Sequence, residues 1–202
     1  MKKTILTLLS ATSLLLLSSC GQSSSAPSTT NHGRGITHSK PIKGCPNPSG
    51  PAQFTKAELK SSRRGWIKYG RLDAKGRATT ANALITKNMI GKGSSANPNI
   101  RPAGFKSGKC NHARGHLIGR QLGGSGDTMK NLVTLYQNPV NTPYMTRYEN
   151  EIRDVVESGT PVRYRVTPIY KAGQAMPVSI KMEAKSLNNR RIDYTVTIPN
   201  KP

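Results

Sequence analysis

Acidic side chains are scarce in this chain: nine Asp and Glu stand against 31 Lys and Arg in 202 residues, a formal charge of +22. Such a charge does not specify a fold, but it attracts phosphate polymers and anionic surfaces. Cysteine is scarcer still, three in all, with none of the close Cys or His spacings of a zinc knuckle. No internal repeat is evident. Nor is there an apolar run of the roughly 20 residues that a permanent membrane-spanning helix needs.

What is present begins with a targeting pattern. Lys2 and Lys3 are followed by an apolar run from Ile5 to Leu17, closed by Leu17-Ser18-Ser19-Cys20. Small residues before Cys20 and Gly21 after it resemble a bacterial lipobox. The resemblance implies a signal peptide at 1–19, lipid on Cys20, and a place in the bacterial cell envelope on the extracytoplasmic side. An ordinary secretory signal, giving a secreted protein, is the alternative. Residues 20–50 are rich in Ser, Thr, Pro and Gly and read as a flexible lipid-proximal tether. One domain is then expected over 51–202. With Cys20 assigned to lipid, Cys45 and Cys110 form an even pair in an oxidising compartment. A bridge between them would stabilise the domain by about 4 kcal/mol on the chain-entropy model.

Within the domain, Thr55 and Glu58 suit a capping box on a short helix through Lys60. Trp66 and Tyr69 are apolar anchors, and the run from Leu72 to Arg77 reads as a turn. Asn97 to Gly104 must be loop, and Leu132 to Tyr136 a strand. Thr142-Pro143 starts a helix, with Met145, Tyr148, Ile152, Val155 and Val156 at helical spacing and Gly159 ending it. From Val162 onward the period changes to two, repeated over Ser179–Ala184 and Ile192–Ile198, with Asn188-Asn189 as turn residues. The chain reads as α+β with an antiparallel sheet at its C-terminal end.

The chemistry concentrates in residues 112–151. Imidazole titrates near neutrality, so His116 can accept a proton from water attacking phosphorus; small neighbours such as Gly115 let a polymer backbone approach. His112 is the rival base, ranked second for lack of that setting. Asn141 offers one hard oxygen to Mg²⁺, an ion that keeps several of its waters. Eight residues of continuous helix rise about 12 Å, too far for Asn141 and Glu149 both to ligate one ion. Glu149 is therefore expected to hold a water of the hydrated ion. Structural roles compete: a helix cap for Asn141, a solvated face for Glu149, a strand start for Asn131, a simple turn for Asn138. Arg77, Arg101, Arg114 and Arg120 are available to grip phosphates, which the planar guanidinium matches well.

ARGHLIG, then NLVTLYQN, then Asn141 and Glu149 as N-x7-E resemble the DNA/RNA non-specific endonuclease family, in its bacterial secreted or DNA-entry-nuclease branch. The resemblance spans roughly 63–198 and departs once, with Ala113 where the signature has Asp. It implies a ββα-metal (His-Me finger) nuclease core. His116 would be the general base, Asn141 the sole protein ligand of Mg²⁺ (with Mn²⁺ as a substitute), and Glu149 the acid orienting water. Asn131 would be a supporting residue and Arg77 a phosphate contact; by residue type and place in the chain, Arg114 is read as a catalytic companion and Arg101 and Arg120 as further phosphate contacts. The partners implied are DNA and/or RNA through the phosphate backbone and a membrane through Cys20, without a small-molecule cofactor. A DNA-capturing lipoprotein with weak catalysis on the same fold is the runner-up; a basic surface adhesin is third and leaves the His/Asn/Glu set unexplained.

Overall fold

The computed structural model describes residues 41–202. The expected signal peptide, Cys20 and most of the expected tether lie outside the described residues. Seven strands and one regular helix follow: β1 (Trp66–Tyr69), β2 (Ala81–Ile85), β3 (His112–His116), β4 (Leu132–Tyr136), α1 (Thr146–Glu157), β5 (Val162–Ile169), β6 (Ser179–Ser186) and β7 (Asp193–Pro199). They form an antiparallel sheet in the order β1-β2-β5-β6-β7 and a separate ribbon, β3-β4. The sheet expected at the C-terminal end is thus larger than the sequence implied. The turn at Asp73–Gly76 folds β1 and β2 into a hairpin, and β2 completes the sheet by pairing Ala83 with Tyr164 of β5.

The strand residues with period two divide as the pattern requires. Val162, Tyr164 and Val166 are fully buried on the face of β5 that meets α1 and the β3-β4 ribbon. From the other side, α1 contributes Tyr148, Ile152 and Val156, each at most 1 % exposed. Burying side chains of this size stabilises by roughly 1.5–3 kcal/mol each. The opposite sheet face is also covered. Arg163 is 3 % exposed, stacked between Phe54 and Trp66, and its guanidinium donates to the carbonyls of Ala83 and Tyr164. Glu58 and Glu183 pair with Arg165 there, while Glu58 closes the expected capping box with Thr55.

Two expectations change and a third is refined. Residues 42–50, read as tether, are docked: Ile42 packs on the core, the Pro46 carbonyl accepts from Tyr148, and Gly50 bridges to Thr195 of β7. The expected disulfide is absent. Cys45 is buried beside Arg147 and Tyr148 of α1, whereas Cys110 is exposed ahead of β3, and both thiols are free. The docking of 42–50 commits Cys45 to the first turn of α1, and burial pushes its thiol up. Finally, the helix does start at Pro143, after an extended Thr142, but it has a short helical turn ahead of it across a kink, within the irregular stretch Gln137–Met145 in which Asn138 is also extended.

Candidate active site

The ribbon β3-β4 and helix α1 meet at a cleft of about 440 Å³, into which His116, Arg120, Asn141 and Glu149 face. His116 ends β3, opposite Leu132. Its Nε2 lies 3.0 Å from the Ser94 carbonyl oxygen. A carbonyl can only accept, so Nε2 carries the proton and Nδ1 is left as the acceptor. Burial holds the imidazole pKa below its ordinary 6.5, outweighing the contact with Ser94 that raises it. The neutral ring is thus poised as a base. Ser94 is itself fixed: its Oγ donates to Asp127 at 2.7 Å and accepts from the Gly126 amide at 2.8 Å. The rival, His112, is occupied elsewhere, its Nδ1 accepting from the Lys106 amide and its ring against Tyr136.

Asn141 comes from the irregular stretch ahead of α1. Its Nδ2 donates to Gln137 Oε1 at 3.0 Å, which orients the amide and leaves Oδ1 turned toward Gly115. Any side chain at Gly115 would collide with Leu135 and approach Asn141 Oδ1 to 3.3 Å. Because Thr142 is extended (φ −137°, ψ 124°), the backbone is not helical from Asn141 to Glu149. The helical separation expected from sequence therefore does not apply, and both residues line one cleft.

Glu149 is 8 % exposed, and its Oε1 accepts from the Gly119 amide at 2.8 Å. Burial pushes its carboxyl up to about 7, against the opposing pull of the Gly119 and Gln121 hydrogen bonds. A Cβ at position 119 would overlap the carboxylate itself. Asn131 does not reach the cleft. It is fully buried and clamps the glycine-rich turn, accepting from the Ile118 amide and donating to the carbonyls of Ile118 and Ser125. The Leu117 amide donates to its carbonyl as well. It positions His116 through the backbone.

The arginines separate. Arg120 is exposed on the cleft, near Ser95 Oγ. Arg114 donates to the carbonyls of Ile100 and Pro98 and stacks on Phe105, so it braces a loop instead of facing the cleft. Arg77 is paired with Asp73 at 2.6 Å, bound to the Gln174 carbonyl and stacked on Tyr170. Arg101 is exposed beside Ser107 and Phe105, off the cleft. Ala113 pairs with Leu135 in the ribbon. Sequence reasoning missed Ser94, Asp127, Gln137 and Gln121; only contacts across 22 residues or more could reveal the first two, though Gln137 stands four residues before Asn141.

Among the described residues, no group of three or more His, Cys, Asp or Glu side chains could hold a metal. The donor set at this cleft, one unpartnered amide oxygen and a nearby carboxylate, suits a hard, largely hydrated divalent cation better than zinc in a closed site.

Comparison with known proteins identifies the family. The family model for DNA/RNA non-specific endonuclease matches residues 57–188. The fold is similar to that of NucA from Streptococcus agalactiae, solved with a magnesium ion bound, at 22 % identity and a TM-score of 0.64, covering 75 % of this chain and 78 % of that one. It is also similar to the Sda1 nuclease, solved with a bound zinc ion, at 21 % identity and a TM-score of 0.65, covering 78 % and 90 %. A third neighbour is an extracellular nuclease, at 22 % identity and a TM-score of 0.54, covering 74 % and 92 %. With a ribbon and helix converging on one cleft and the family model matching most of the chain, this protein belongs to the DNA/RNA non-specific endonucleases of the ββα-metal fold.

Proposed function

We propose that the protein is an exported, lipid-anchored, Mg²⁺-dependent endonuclease that hydrolyses DNA and RNA without regard to sequence. The observation that carries this reading is the pairing of two pre-oriented groups in one cleft: His116, with Nε2 held by Ser94, and Asn141, with Nδ2 held by Gln137. His116 Nδ1 takes a proton from water as the water oxygen bonds to phosphorus. The bond from phosphorus to the 3′ oxygen breaks and that oxygen takes a proton from solvent water in the cleft, leaving a 5′-phosphate and a 3′-hydroxyl. A divalent cation held by Asn141 would neutralise the charge that builds on the phosphate oxygens and the leaving oxygen. Glu149 orients water within the cleft, and Arg120 attracts the phosphate. Gripping phosphates instead of base edges makes cleavage indifferent to sequence and weaker as salt rises.

The test is digestion of plasmid and RNA by the purified protein, in Mg²⁺ and in EDTA, alongside His116→Ala. Cleavage in Mg²⁺ is expected, with loss in EDTA and a fall on the order of 10²–10⁴-fold in the variant. Full activity of His116→Ala would overturn the mechanism. Tight, salt-sensitive binding with no cleavage under any divalent ion would instead favour the DNA-capturing reading, for which the departure at Ala113 speaks. For the address, incorporation of labelled fatty acid that is lost in Cys20→Ser would support the lipid anchor.

A further inference from the structure

From Ala74 to Gly126 the sequence contains no acidic residue but nine Lys and Arg. The structure sets much of that segment beside the cleft. Residues 98–106 are clamped onto β3 and β4: Arg114 holds the carbonyls of Pro98 and Ile100, Thr134 those of Pro102 and Ala103, and His112 the amide of Lys106. Phe105 lies under the guanidinium groups of both Arg101 and Arg114. This long loop is thus a fixed ledge. Arg101 and Lys106 are exposed on it and Lys109 three residues beyond it, and among the described residues none of them has an acidic partner within ion-pair distance.

The ledge follows β3 away from the catalytic histidine. Arg114, two residues from His116, anchors the part carrying Arg101, and His112, at the far end of the strand, anchors Lys106. Four residues of strand span about 13 Å. That is about four base steps at 3.4 Å of rise per phosphate on one strand. Three cations without acidic partners, carried on an acid-free segment anchored along that length of strand, suit successive phosphates, not a single small anion.

We infer that Arg101, Lys106 and Lys109 form a second phosphate-binding subsite, which holds the nucleic-acid backbone up to about four nucleotides to one side of the bond being cut. This deepens the proposed function and rests on its placing the scissile phosphate at His116. The subsite makes cleavage depend on flanking length on one side only. A strand that ends within the ledge's reach leaves these cations empty and is cut more slowly.

The experiment compares the full chain with R101A/K106A/K109A and with a control at three exposed cations elsewhere, K56A/K60A/R190A. Binding to a 30-base-pair duplex is measured by fluorescence anisotropy in EDTA across a salt series, and turnover is measured on that duplex and on bis(4-nitrophenyl) phosphate, which is too small to reach the ledge. Each phosphate contact contributes about 0.9 to the slope of log K against log salt, so the ledge variant should lose about 2–3 from that slope. The control should lose markedly less, and duplex turnover should suffer more than diester turnover. An unchanged slope, an equal loss in the control, or equal losses on both substrates would overturn the subsite. So would weaker binding to vesicles of 30 % phosphatidylglycerol with duplex binding intact, since the ledge would then be a membrane contact. If the wild type cleaves neither substrate yet the slope still falls, the ledge stands as a phosphate site and the nuclease reading fails.

Discussion

Replacing Glu149 by Gln should make the protein more stable at alkaline pH while stopping catalysis. Glu149 is almost wholly buried, and its carboxyl titrates at about 7 in the fold against an ordinary 4.5. Below about 4.5 the carboxyl is protonated in both folded and unfolded chains, and its titration leaves stability unaffected. Between 4.5 and 7 the unfolded chain ionises first, so stability is lost as pH rises and the loss is complete once the pH passes about 7. The gap between the two values corresponds to about 3 kcal/mol. Gln mimics the neutral form at every pH and can still accept from the Gly119 amide. Glu149→Gln should therefore match the wild type at pH 4 and exceed it by about 3 kcal/mol at pH 9. For a domain of this size that is roughly 6–12 °C in melting temperature. Circular-dichroism melts of both proteins in EDTA, from pH 4 to pH 9, measure the difference directly. A constant offset at all pH values, or a less stable variant at pH 9, would refute the idea that burial of this carboxyl opposes folding.

The acid limb of kcat/KM should fall below pH 6.5, because burial lets His116 stay neutral at pH values where an exposed imidazole would be charged; a limb centred above 6.5 would contradict the assignment of this ring as the base. Asn131→Ala strips the buried Ile118 amide of its partner and should cost about 3 kcal/mol in a urea titration, with activity falling as the turn loosens; a change under about 0.5 kcal/mol would show that the clamp carries no weight. Asn141→Ala should raise the Mg²⁺ concentration needed for half-maximal cleavage, read from a metal titration, while leaving metal-free duplex binding intact. Since Cys45 and Cys110 are apart and unbridged, dithiothreitol should leave the melting temperature unchanged, and a drop of several degrees would reveal a bridge.

Local signals made the elements legible and long-range contacts kept the site partly hidden. The capping box at Thr55, the strand at Leu132–Tyr136 and the amphipathic spacing after Met145 are written in short windows, and each appears where the pattern puts it. The partnership of β2 with β5 is not, because Ile85 and Val162 meet across a long insertion. His116, Asn141 and Glu149 could be picked out because chemistry and spacing agree within forty residues. The Ser94 carbonyl that fixes the tautomer of His116 leaves no mark, since any residue type has a carbonyl. Arg114 shows the converse. Its position beside His116, on the same face of β3, suggests catalysis, but the loop carrying Pro98 and Ile100 takes up its guanidinium through their carbonyls. The cysteine pairing failed for a similar reason: parity of thiols says nothing about which segment docks where.

The place where β2 meets β5 has a further consequence. Ile85 and Val162 are register partners, so the chain leaves the sheet and returns to it at a single doorway. The ribbon, the glycine-rich turn and helix α1 all hang from that doorway, while β1, β6 and β7 lie outside the excursion. The frame is therefore indifferent to the length of what it encloses. Insertions or deletions in the excursion change reach and grip without shifting sheet register. In evolutionary terms the catalytic part is a cassette, exchangeable between frames wherever the two doorposts are kept.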